Sequence, residues 1–81
     1  MAVVGKFRLR VMNPDKTLFE GAVESVFVQG NTGEYEILPY HYPIMGLLSP
    51  GRLIIDWKKY IPVSSGIIKF SENDCVAIVE L

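Results

Sequence analysis

The chain is 81 residues long, enough for a single domain over residues 1–81, and its 49 % hydrophobic content and mean hydropathy of +0.26 exclude a disordered polypeptide. Eight basic against nine acidic residues, for a net charge of −1, give no electrostatic footprint for nucleic acid. One cysteine, Cys75, excludes an internal disulfide, and no apolar run approaches the roughly 20 residues that cross a bilayer. The opening Met1-Ala2-Val3-Val4-Gly5-Lys6 is too brief for the apolar core of a leader peptide, so the expected compartment is reducing and cytoplasmic.

In chain order, Lys6 to Met12 alternates apolar and polar residues, the period of a half-buried strand. Its polar face carries Lys6, Arg8 and Arg10, a small solvated basic strip. Asn13-Pro14-Asp15-Lys16 is a turn, with proline fixing φ and asparagine and aspartate able to bond nearby backbone. Thr17 to Glu20 is expected to pair with the run Ala22 to Val28, with Gly21 as the bend. Gln29-Gly30-Asn31-Thr32-Gly33 reads as a loop and Glu34 to Leu38 as a short strand. Pro39 and Pro43 cannot share a helix, and each pushes the residue before it into extended geometry. The bend between them holds the only histidine, His41, with Tyr40 and Tyr42. Such a bend is either a packed corner, its tyrosines half-buried as filler, or a docking surface.

Ser49-Pro50-Gly51 marks another turn. Arg52 to Asp56 and Lys59 to Val63 form a hairpin around Trp57-Lys58, and Pro62 suggests an edge strand. Gly66 to Phe70 and Cys75 to Val79 form the last pair, joined by Ser71-Glu72-Asn73-Asp74. Short strands with turns at this spacing predict an all-β sandwich or barrel of two packed antiparallel sheets, with no long helix. The expected core is Phe7, Leu9, Val11, Phe19, Val26, Val28, Leu53, Ile55, Ile61, Val63, Ile68, Phe70, Val76 and Ile78. Consecutive apolar residues, as in Val26-Phe27-Val28, Leu53-Ile54-Ile55 and Ile67-Ile68, mean that some outward positions are apolar as well. Either loops fold over them or they form an exposed partner surface.

Signals for catalysis are thin. No nucleophile, base and orienting group stand together, no metal-ligand spacing occurs, and no phosphate-binding loop is present, so neither a cofactor nor ATP hydrolysis is expected. Cys75 lies in an apolar strand, where a thiol behaves as a small hydrophobe. An oligonucleotide-binding barrel would match the size but would need a basic groove with stacking aromatics.

Three landmarks carry a family resemblance. Val11 to Gly21 fits the pattern V-x-x-P-D-x-x-x-F-x-G, Gly33 to Pro43 follows G-E-x-G-I-L-P-G-H-A-P, and Val63-Ser64-Ser65-Gly66-Ile67 stands where the family has a glycine pair before a late strand, with Gly66 as the second of the two. In this order, and spanning about Phe7 to Val79, they make the chain similar to the N-terminal domain of the epsilon subunit of the rotary ATP synthase. The resemblance implies a small flattened antiparallel β-sandwich of about ten short strands. It also implies a rotor role in the central stalk, coupling c-ring rotation to ATP synthesis or hydrolysis, on the cytoplasmic side of the bacterial inner membrane. By motif position Gln29, Gly30, Asn31, Thr32, Gly33 and Glu34 would face the c-ring, and Pro39, Tyr40, His41, Tyr42 and Pro43 the gamma subunit. Membrane association would come through the complex, without insertion.

The corner departs from the family pattern. Glu36, Tyr40 and Tyr42 stand where glycine, glycine and alanine are usual, and Ser65 replaces the first glycine of the later pair. Most family members continue into two C-terminal helices that can restrain hydrolysis and, in some bacteria, bind ATP. The sequence here reaches Glu80-Leu81 at the end of its last strand, so a polypeptide without that helical brake is expected, whether as a short subunit or an excised domain.

Overall fold

The computed structural model describes residues 5–81, so the first four residues of the opening stretch lie outside the description. The described residues form nine strands and no helix: β1 (Phe7–Met12), β2 (Thr17–Val23), β3 (Val26–Gly30), β4 (Gly33–Ile37), β5 (Ile44–Leu48), β6 (Gly51–Ile55), β7 (Lys59–Val63), β8 (Ser65–Ser71) and β9 (Asp74–Glu80). They make one curled sheet in the order β2-β1-β9-β8-β5-β3-β6-β7, with β4 added on β3. The only β3–β5 pair is Gly30 with Leu48. The sheet therefore folds there into two layers, β2-β1-β9-β8-β5 and β4-β3-β6-β7.

The core lies between these layers as one cluster. Leu9, Val11, Ile68, Phe70, Cys75, Ala77 and Val79 come from one side; Val26, Val28, Ile37, Leu53, Ile55, Ile61 and Val63 come from the other. β1 alternates as its sequence predicts, with Phe7, Leu9 and Val11 buried. The Asn13 carboxamide closes the following turn, accepting from the backbone N–H of Asp15 at 2.8 Å and of Lys16 at 2.9 Å. Pro62 lies on β7, at the edge of its layer, where a missing N–H does no harm.

Several expectations are corrected. Gly21 does not bend the chain: it pairs with Leu9 inside β2, which runs unbroken to Val23 against β1. The bend falls at Glu24-Ser25, where the Asp56 carboxylate accepts both backbone N–H groups, at 2.7 and 3.0 Å. Ile44–Leu48, not among the expected strands, is a strand because β8 pairs along its whole length. In β9 the inward face is Cys75, Ala77 and Val79; Val76 is half-buried and Ile78 exposed. Every position from Cys75 to Val79 is apolar, so alternation could not choose a face, and pairing with β8 and β1 chose it. Phe19 is half-buried at the core margin. The β1–β9 pair is parallel, against the expectation of antiparallel pairing throughout; the chain traverses both layers before its last strand returns beside its first.

The consecutive apolar residues resolve both ways. Ile54 faces outward yet is only 7 % exposed, lying in register between Phe27 and Tyr60. Trp57 covers Phe27 with ring centroids 5.3 Å apart and donates its indole N–H to Glu36 at 2.8 Å. On the other layer Leu47, Ile67 and Ile78 line up across β5, β8 and β9 and stay 54, 43 and 49 % exposed. Aromatic side chains cover one outer face; the other keeps an apolar row in water.

Candidate functional site

Between β4 and β5 the two prolines produce a tight corner, with the His41 N–H donating to the Leu38 carbonyl at 3.2 Å. Tyr40 has φ +64°, the left-handed region in which a side chain costs on the order of 1 kcal/mol and glycine little. Glycine, the residue of the family pattern at that place, adopts this conformation freely, whereas here a tyrosine is held in it. The holding group is Asn73, in the β8–β9 turn. Its Oδ1 accepts the Tyr40 N–H at 2.8 Å, and its Nδ2 donates to the Lys6 carbonyl at 2.8 Å. One carboxamide thus ties the corner, the last hairpin and the entry to β1 together.

His41 links the corner to the core. Its Nδ1 donates to the Tyr42 carbonyl at 2.7 Å, its ring stacks on Tyr42 at 4.4 Å, and it meets Phe70 edge-on at 5.9 Å. Phe70 in turn meets Phe7 edge-on at 5.4 Å. The tyrosines are not filler: Tyr40 and Tyr42 are 71 and 72 % exposed. Pro39 is buried and Pro43 exposed.

The loop from Gln29 to Glu34 divides into a frame and a tip. Gln29 is half-buried and internally engaged: its Nε2 donates to Glu34 at 3.1 Å, and its Oε1 accepts the Arg52 N–H at 3.2 Å. Asn31, Thr32, Gly33 and Glu34 form the exposed tip, where Gly33 at φ +136° occupies a conformation that L side chains rarely adopt. Gly30 and Gly46 leave space for the Tyr35 ring, which a Cβ at Gly30 would approach within 2.8 Å. Tip and corner are brought together. Asn31 and Thr32 line one cleft of about 410 Å³ together with His41, Tyr42, Tyr35 and Met45.

Sequence reasoning missed Asn73 and Tyr35. An asparagine in a two-residue turn signals turn chemistry, but nothing local reveals a bond to residues 33 and 67 positions away. Among the described residues no three His, Cys, Asp or Glu side chains gather as a metal site. The basic strip is largely compensated, Arg8 by Glu20 and Arg10 by Asp74 at 3.6 Å.

Asn73→Ala is expected to cost about 1–3 kcal/mol, the loss of two hydrogen bonds. It should also speed exchange of the Tyr40 amide hydrogen in native-state exchange measurements. Asn73→Asp keeps the acceptor for Tyr40 and loses the donor to Lys6, so it should fall between. Equal Tyr40 exchange in all three proteins would remove Asn73 from this role.

An exposed aromatic corner, a cleft and an apolar row mark the surface of a two-layered β-sandwich domain. The family model for the ATP synthase delta/epsilon chain β-sandwich domain matches residues 6–80, and the chain belongs to that family. It is 35 % identical over 77 residues to the ATP synthase epsilon chain of a Nitratiruptor species, covering 90 % of this chain and 60 % of that one. With the epsilon chain of Leptospira borgpetersenii serovar Hardjo-bovis the identity is 37 % over 71 residues, 84 % of this chain and 56 % of the relative. The chain thus spans a little over half the length of these relatives. Among solved structures, a chain of the Euglena gracilis mitochondrial ATP synthase superposes with a TM-score of 0.83 at 18 % identity, over 98 % of this chain and 53 % of that one. A chain of the Tetrahymena thermophila central stalk/c-ring structure gives 0.77 at 18 %, over 95 % and 65 %. No helix among the described residues is long and apolar enough to cross a membrane.

Proposed function

We propose that this domain works as the epsilon part of a rotor. It binds the gamma subunit and the c-ring of a proton-translocating ATP synthase and couples ring rotation to ATP synthesis or hydrolysis without catalysing either. It sits on the cytoplasmic side of the bacterial plasma membrane, peripheral through its complex, and takes no cofactor. The observation that carries this reading is the family match over residues 6–80, supported by a cleft that Asn31 and Thr32 of the loop line together with His41 and Tyr42 of the corner. Exposed tyrosines that need no repacking are suitable anchors, because each can bury a large ring and keep its hydroxyl solvated or bonded.

The test measures affinity for the gamma-type subunit of the same operon, with the thermal midpoint, on Tyr40→Ala and Tyr42→Ala. Tyr42→Ala is expected to weaken binding about thirtyfold, the effect of removing an interface anchor, with the midpoint nearly unchanged. Lost stability with undiminished affinity in both variants would leave the corner a structural element only.

A further inference from the structure

β5 has one partnered edge and one largely open edge. All five of its residues pair with β8, whereas toward β3 only Leu48 pairs, with Gly30. In an antiparallel ladder the residues of a strand alternate, one directing both N–H and C=O to its partner and the next directing both away. The Leu47 carbonyl accepts the Asn31 N–H at 3.1 Å, and the Ser49 N–H donates to the Gln29 carbonyl at 2.8 Å, so the odd-numbered residues of this segment face away from β8. Met45 is the next in that series. Its N–H and C=O, and the N–H of Leu47, face the cleft, and among the described residues no hydrogen bond reaches them. Unpaired edge groups of this kind are a template for another strand, and proteins usually blunt them with charge, proline or cover. Here the strand presents Ile44, Met45, Gly46 and Leu47, with no charge among them, and Met45 is 68 % exposed.

We infer that this edge takes a short extended segment of the gamma-type subunit, which adds a strand to β5 by backbone hydrogen bonding. The inference rests on the docking reading above and specifies its chemistry. Backbone groups in a row select an extended backbone, and side chains on the cleft walls select its sequence. One partner residue exchanges two hydrogen bonds with Met45, and another accepts from the Leu47 N–H. The edge borders a cleft that is lined as well by Asn31, Thr32, His41 and Tyr42. His41 and Tyr42 belong to the corner that the resemblance assigns to gamma, which makes the edge continuous with that contact.

The experiment is amide hydrogen exchange on the intact chain, free and saturated with the gamma-type subunit, with affinities for Met45→Pro and Met45→Ala. Proline at position 45 removes an N–H that β8 does not use; alanine alters only the side chain. Expected are exchange at Met45 and Leu47 slowed at least about tenfold on binding, and affinity lowered at least about tenfold by proline but no more than about threefold by alanine. Binding that leaves both amides unprotected overturns strand addition while leaving the rotor reading in place. Failure of the wild-type chain to bind the gamma-type subunit at all overturns both. If Met45→Pro does not fold, the exchange measurement on the wild-type complex decides alone.

Discussion

Replacing Phe70 by alanine is expected to destabilise the domain by about 3–5 kcal/mol, the range for removing a buried aromatic ring. A chain of this size has roughly 4–12 kcal/mol of total stability, so the variant stands close to unfolding. The size of the effect follows from position. Phe70 is fully buried, meets Phe7 edge-on on one side and His41 on the other, and pairs across β8–β9 with Cys75. The backbones on either side, Ile44 on β5 and Cys75 on β9, are held in ladders with β8 and limit how far the space can collapse. The measurement is urea unfolding: the midpoint should fall sharply with an unchanged slope. Because His41 rests on Phe70, the corner should loosen as well, and Phe70→Leu, which retains most of the volume, should preserve partner affinity better than alanine. A Phe70→Ala variant within 1 kcal/mol of the parent, on the order of a surface change, would mean that the core does not lie where it is described.

The second large effect is a loss of stability in alkali. Burial first, and then the neighbouring Asp74 carboxylate, push the Cys75 thiol from its ordinary 9.0 up to about 12. Below pH 9 the thiol is protonated in both states, and its contribution to stability is fully present. Between pH 9 and about 12 the unfolded chain gives up this proton while the folded chain keeps it. Stability therefore falls as pH rises, at up to about 1.4 kcal/mol per pH unit from this group alone. Cys75→Ala removes this slope. Tyr35, whose hydroxyl is also shifted upward by burial and by Cys75, stays in both proteins, so the difference between them chiefly reports Cys75. Parallel pH profiles from pH 8 to about 11 would refute the assignment. The same burial predicts that thiol reagents label Cys75 only after unfolding.

How much could be read in advance depends on whether a signal was local. The alternation from Lys6 to Met12 fixed both a strand and its buried face, because only one register puts Phe7, Leu9 and Val11 inside. The Asn13-Pro14 turn, the bend between Pro39 and Pro43 and the Pro62 edge were equally legible, since each follows from the φ restriction or missing donor of one residue. The candidate stretches Gln29 to Glu34 and Pro39 to Pro43 stood out by motif, but their meeting across one cleft did not, being set by the fold at Gly30 and Leu48.

Tertiary structure decided everything that required choosing between equivalent faces or distant partners. From Cys75 to Val79 all residues are apolar, and only the register with Leu9 and Phe70 sent the small Cys75 and Ala77 inward and left Ile78 in water. Gly21 offered a bend that was not used, because pairing with Leu9 kept β2 straight. The actual bend and the corner are held by Asp56 and Asn73, single polar side chains reaching across 31 to 67 residues of chain. A sequence by itself specifies conformations whose cost lies within a few neighbouring residues; it leaves open those whose favourable term is a hydrogen bond or a packed face supplied by another strand.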